Sequence, residues 1–243
     1  MGRLLPRRSG KREPLPAFAT ACHERLTLYH PTPWPHKQPP QQFLIACSLA
    51  VIDLAELFGF TFPRPVGVYL FPTADGLSRY FGLPDGSTGC ALQAETSIAV
   101  AGDAADLLAV VRHELAHLYA DAWGPYPPAF KGEGLAVWCE YNRDPVAMDR
   151  IALWAVKQLG HRPPLADLLD DARFYDPVAA GMNYYLAGSF TRWVVRQRGW
   201  VTYRDFYRTA TPGNYAAEFV AHFGLTVAAA EKGWHRHLAA HGG

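Results

Sequence analysis

The sequence has no Cys-x-x-Cys pair, no long block of like charge and no apolar run of spanning length that is free of acids. Each absence excludes something. The four cysteines, Cys22, Cys47, Cys90 and Cys139, are too scattered for a zinc ribbon or a dithiol redox site, and their even number permits disulfides without requiring them. Net charge is +1, and the only basic cluster is Arg7-Arg8 with Lys11-Arg12, so a nucleic-acid footprint is not expected. No apolar segment separates that cluster from Pro14 and Pro16, which argues against a secretory signal and predicts a cytoplasmic chain unless another export route operates. The stretch Phe43 to Phe62 is the nearest to a membrane span. It holds Asp53 and Glu56, each costing about 2.5–3.5 kcal/mol at a bilayer centre. With Gln41, Ser48 and Ile52/Asp53 near a 3.6-residue period, an amphipathic helix with a narrow wet face is expected instead. No internal repeat is apparent.

What is present is enough apolar residue for a full core: 49% of 243 residues, suited to one domain or two intimate subdomains. Residues 1–16 read as a flexible basic leader, and 17–240 as a single catalytic-type domain with an α/β part over about 17–123 and a helical part over about 124–240. In order, Arg25 to Tyr29 alternates as a strand, His30 to Pro40 is a proline-rich loop, and a helix covers roughly 41–58. Val66 to Phe71 is a second strand, Thr73 to Tyr80 a short helix, Gly82 to Gly89 a turn-rich loop and Thr96 to Ala101 a third strand. That third strand is either an open edge able to pair with an extended peptide or an interior strand. Beyond Pro145 helices are predicted at about 145–159, 165–170, 177–198, 202–209, 214–223 and 226–240, three of them closing on Gly160, Gly199 and Gly224. The fold class is α+β, with a small mixed sheet and an active-site helix followed by a mostly helical part.

The chemistry concentrates in Val110 to Leu118, which contains His113-Glu114-Leu115-Ala116-His117. On a helix, residues four apart are stacked, so His113 and His117 can direct ring nitrogens at one zinc ion. Glu114 lies about 100° around the helix, placed to reach water at the metal without being a ligand, and is the expected general base. Asp103 is the expected N-cap, with Asp106 at the third helical position, and Gly124-Pro125 the stop. The apolar Leu107, Leu108, Val111, Leu115 and Leu118 imply burial; the two histidines and the glutamate then either find ordinary hydrogen-bond partners in the core or share a metal, and three polar groups together are harder to satisfy the first way.

A catalytic zinc takes three protein ligands and leaves a fourth position open, so a further donor is required from another segment. Glu133 is the foremost candidate, 16 residues after His117, in the first turn of a helix predicted over 132–141 after the Gly124-Pro-Tyr-Pro-Pro128 reversal; Glu140 is the fallback. The order of strand, His-Glu-x-x-His helix, turn and Glu133-Gly134-Leu135-Ala136 over residues 66–141 resembles the gluzincin zinc metallopeptidases of the peptidase MA-like superfamily. That resemblance implies a zincin-like fold and Glu133 as the third zinc ligand. It also implies that Tyr185, or its neighbour Tyr184, ahead of Gly188, donates to the oxyanion. The closing Glu231 to Leu238 looks like the family's C-terminal helix and is assigned packing. Two features depart from the pattern. Val137 stands where thermolysin-like enzymes carry an aspartate that buttresses a histidine, leaving Asp121 or Glu140 for that role. The Gly-x-Met-Glu-Asn segment of aminopeptidases is absent, which disfavours that activity. The remaining histidines, including His235 and His237, are expected at the surface or in packing.

The expected activity is a zinc-dependent hydrolase, a metallopeptidase with Zn2+ on His113, His117 and Glu133, Glu114 as base and a peptide or protein as substrate. The rivals are a zinc-binding scaffold without a productive cleft and a metallohydrolase acting on another carbonyl bond.

Overall fold

A computed structural model of the chain describes residues 17–124, 128–141 and 145–240. The leader 1–16 and the core of the proline reversal, Pro125 to Pro127, lie outside the described residues. The chain divides into two compact units, residues 1–122 and 123–243.

In the first unit, β1 (Phe18–His23), β2 (Leu26–Pro31), β3 (Val66–Phe71), β4 (Gly89–Leu92) and β5 (Ser97–Ala101) form one mixed sheet in the order β1-β2-β3-β5-β4. The β2–β3 and β3–β5 pairs are parallel, with Val68 opposite Ile98, while β1–β2 and β4–β5 are antiparallel. Side chains alternate across this sheet. Val66, Val68, Leu70, Ile98 and Val100 are fully buried on one set of positions, and Phe71 and Ala99 on the other pack against Leu77. Leu77 belongs to α2 (Ala74–Phe81), which starts where the Thr73 hydroxyl accepts from Gly76 N. Two longer helices, α1 (Pro40–Phe58) and α3 (Leu107–Asp121), pack together and on the sheet.

Several expectations are corrected here. The strand expected at Arg25 to Tyr29 runs on through Pro31, so His30 and Pro31 are not loop. Both β1 and β4 went unread: β4 is four residues long and β1 (Phe-Ala-Thr-Ala-Cys-His) holds no β-branched residue but Thr20. The strand before the motif helix is interior, because β4 covers its outer side and takes the end position in the sheet. Strand addition to β5 is thereby excluded. Ser48 is not on a wet face of α1: it is buried and its hydroxyl donates to Leu44 O at 3.1 Å. Gln41 and Glu56 are exposed as expected, but between them the exposed face of α1 is apolar, with Ile45, Leu49 and Ile52 between 42% and 54% exposed. Among the described residues α1 is the one helix long and apolar enough to cross a membrane by length and composition. About two-fifths of its apolar window, 39%, is buried within the fold.

The second unit is helical: α4 (Ala129–Tyr141), α5 (Pro145–Leu159), α6 (Leu165–Leu168), α7 (Asp171–Phe174), α8 (Ala180–Arg198), α9 (Trp200–Thr209), α10 (Tyr215–Phe223) and α11 (Val227–Ala240). Left-handed glycines follow α5 and α10 at Gly160 and Gly224, as their lack of a Cβ allows. The helix expected at 165–170 ends at Leu168, and a second short helix that was not expected follows it, started where the Asp170 carboxylate accepts from Ala172 N and Arg173 N. Helix α8 lies at the centre, packed by α4, α5 and α9. Phe130, Phe174, Phe190, Phe206, Phe219 and Phe223 fill the surrounding core, and Trp234 donates to Ser189 Oγ at 3.1 Å. Arg192 pairs with Asp149, and His237 also reaches that carboxylate at 3.1 Å, so the charges buried beside α8 are matched.

Candidate functional site

Three contacts orient α3. The Asp106 carboxylate accepts from Ala109 N at 3.0 Å and is the N-cap. Asp103 is not the cap, contrary to expectation, because its carboxylate is taken by Ala74 N at the start of α2, 2.8 Å away. Arg112 pairs with Asp53 of α1 at 3.0 Å, and the Tyr119 hydroxyl donates to Val51 O at 3.2 Å. With Val111, Leu115 and Leu118 buried, rotation of α3 about its own axis is fixed.

On that helix His113 and His117 are half-buried, and their Nε2 atoms stand 3.1 Å apart, with ring centroids at 4.8 Å. Two nitrogens bound tetrahedrally to zinc at about 2.0–2.1 Å would be about 3.3 Å apart. The pair therefore presents two convergent imidazole donors at the spacing one zinc ion needs. Glu114 is buried, at 7% exposure, against β4. A Cβ built on Gly89 would fall 2.6 Å from Glu114 Oε1 and 2.7 Å from its Cγ, so only glycine admits the carboxylate there. Burial, with the Glu114 charge adding to it, pushes the neighbouring Cys90 thiol well up and leaves it an inert neutral group. The strand that flanks Glu114 is thus β4, whose first residue, Gly89, was expected to end a loop and whose other three were assigned to no element.

In the second unit Glu133 rides on α4. That helix begins at Ala129 and not at 132, so Glu133 lies in the second turn. Its carboxylate Oε1 accepts from the Tyr175 hydroxyl at 3.1 Å. The glycine that follows it has a packing cause: a Cβ on Gly134 would meet Thr191 Oγ1 at 2.7 Å and Ala187 O at 2.8 Å on α8. In return Gly188 of α8 makes room for Val137, whose Cγ1 would be 2.6 Å from a Cβ there. Val137 therefore fills a dry helix contact. Lys131, one turn-half before Glu133, is buried and donates to Tyr207 O at 2.7 Å and to Ala210 O, above the Phe206 and Tyr207 rings. Desolvation brings its ammonium down to about 7, partly opposed by the Glu218 charge.

The two tyrosines of α8 point apart, as adjacent helical residues must. Tyr184 stacks at a tilt on Phe174, centroids 5.4 Å apart, and touches Tyr175 at 6.3 Å. Tyr185 meets the edge of Trp154 at 6.2 Å, and burial together with the Glu140 charge raises its hydroxyl. Tyr184 is therefore one ring away from the residue that holds Glu133, while Tyr185 and Glu140 form a separate neighbourhood. Asp121 is an exposed residue at the last turn of α3. Of the other histidines, His237 joins Asp149, and His235 Nε2 is buried without a hydrogen-bond partner. Tyr175 and Lys131 were missed by the sequence reading. No spacing signal marks Tyr175, which follows a four-residue helix, and a lysine beside a Glu-Gly pair reads as solvent-facing until its carbonyl partners are seen.

No protein-family model matches the chain, and no curated protein matches it either.

Proposed function

We propose that this chain is a zinc-dependent hydrolase of the gluzincin kind that cleaves peptide bonds. His113, His117 and Glu133 would hold the metal, and Glu114 would act as general base. The observation that carries the reading is the 3.1 Å convergence of the two Nε2 atoms with a buried carboxylate on the next residue of the same helix. The donor set supports it as well: among the described residues these two histidines and Glu133 are the group of His, Cys, Asp or Glu that could hold a metal ion. Two neutral imidazoles and one carboxylate are the ligand types of catalytic zinc. Zinc held there supplies Lewis acidity, polarising a substrate carbonyl and acidifying water.

The protein's own groups do the rest. Glu114, fixed against Gly89, takes a proton from the attacking water and delivers it to the leaving amine. Its burial keeps the carboxylate in one position and away from competing solvent. Tyr184 or Tyr185 donates its hydroxyl to the oxyanion that forms as the carbonyl is attacked.

The test is metal analysis of the purified chain combined with cleavage of a peptide library read by mass spectrometry. One equivalent of zinc is expected, with cleavage that falls about 10²–10⁴-fold in Glu114→Gln while zinc content holds. A chain that takes up no zinc, or a Glu114→Gln variant as active as the native protein, overturns the proposal. Zinc uptake with no cleavage of any peptide points to the scaffold reading.

A further inference from the structure

The segment carrying α7 meets α4 twice, at positions one helical turn apart on each partner. The Asp171 carboxylate accepts from Ala129 N, the first amide of α4, at 2.9 Å. Four residues on, the Tyr175 hydroxyl donates to Glu133 Oε1, four residues after Ala129, at 3.1 Å. Between them Phe174 packs edge-on to Phe130 at 6.3 Å. The segment is itself held from behind. Buried Asn183 of α8 donates to Phe174 O at 3.0 Å and to Arg173 O at 3.4 Å, and Asp170 caps the turn. A tyrosine just past the end of a four-residue helix would ordinarily be free to swing. Here the backbone just before it is held by Asn183 of α8, its ring rests against Phe174 and Tyr184, and its hydroxyl donates to Glu133.

From this arrangement we propose that Tyr175 is a positioning residue for the metal: its hydroxyl fixes the Glu133 carboxylate in the orientation that binds the ion. The inference rests on the metal reading above. The chemistry follows from the lone pairs. A carboxylate has two oxygens with about four acceptor sites, so one can satisfy a hydroxyl while lone pairs remain for a cation. A fixed donor removes rotamers that Glu133 would otherwise have to give up on binding the ion, and loss of such a partner typically weakens metal affinity about 10–100-fold.

The experiment measures zinc affinity of the full chain by competition with a chromophoric chelator, for the native protein and for Glu133→Ala and Tyr175→Phe. Phenylalanine keeps the ring contacts with Phe174 and Tyr184, and position 175 is 41% exposed, so the fold is expected to persist; thermal melting of the metal-free proteins checks this. Tyr175→Phe is expected to bind zinc about 10–100-fold more weakly with an unchanged metal-free melting temperature. Cobalt substitution gives a second readout, since a Glu133 that has lost its partner alters the visible absorption of the bound ion. If Glu133→Ala binds zinc as tightly as the native chain, the ligand reading itself fails. If Glu133→Ala is weak but Tyr175→Phe matches the native protein in affinity and cobalt spectrum, the inference about Tyr175 fails alone. A Tyr175→Phe that binds normally yet loses only turnover overturns it in favour of a hydroxyl that contacts substrate.

Discussion

Gly89 shows how one missing methyl can decide whether a carboxylate is usable. Glu114 occupies the space where any other residue at 89 would put its Cβ, so Gly89→Ala must displace the carboxylate, the β4 backbone, or both. Displacement of a reacting group by about an ångström can cost about 100-fold in rate. We therefore expect Gly89→Ala to lower peptide cleavage by about that factor while the two histidines still bind zinc, measured as kcat alongside metal content. Retained kcat in that variant would mean that Glu114 is not the proton carrier. His113, Glu114 and His117 were legible because a single helix sets their relation: spacing of four and spacing of one translate directly into angles. Tyr175 and Lys131 were not, because their partners lie 42 and 76 residues away in sequence and answer to backbone geometry that no local pattern encodes.

Elements were legible in proportion to how much of their stability is local. Helix α1, β3, α5 and α8 carry periodic apolar positions over one to five turns or a full strand, and their limits fell within three residues of expectation. Strand β4 is only four residues long, and β1, as long as β3, carries alanines where β3 carries valines, so both depend on their sheet neighbours and their sequences say little. The cap of α3 illustrates competition: Asp103 and Asp106 are both good N-caps, and the choice was made by α2, which claims Asp103. The most exacting element contact is that of α4 with α8, where Gly134 and Gly188 each receive the other helix. Gly188→Ala would force its Cβ onto Val137 and Met148. Overpacking of this kind costs about 1–3 kcal/mol. Chemical denaturation should register that loss, and the double variant Gly188→Ala/Val137→Ala should lose less than the two single changes added together. Strict additivity would show that the two residues do not share this space.

At the scale of the whole molecule the chain turns from mixed to helical after Ala101, which ends the last strand among the described residues, and the absence of further β-branched alternation made that turn visible. Stability as a function of pH should carry a signature from α11. Burial lowers the His235 imidazole below its ordinary value, and the Arg162 charge adds to this against the opposing pull of Glu231. A depressed histidine is neutral in the folded chain and takes a proton more readily once unfolded, so its contribution is full above the unfolded value near 6.5 and declines as pH falls below it. Urea midpoints at pH 7 and pH 5 should therefore differ more for the native protein than for His235→Gln; equal differences would dismiss the contribution. The fit of Val137 into Gly188 has a longer reach. An acid at 137, the arrangement of thermolysin-like enzymes, would here face Val-sized space lined by Gly188 and Met148 with no water to solvate it, at a cost of several kcal/mol. A carboxylate at 137 would thus be an uncompensated charge inside the α4–α8 contact, and introducing it is expected to cost more than deleting the valine side chain outright.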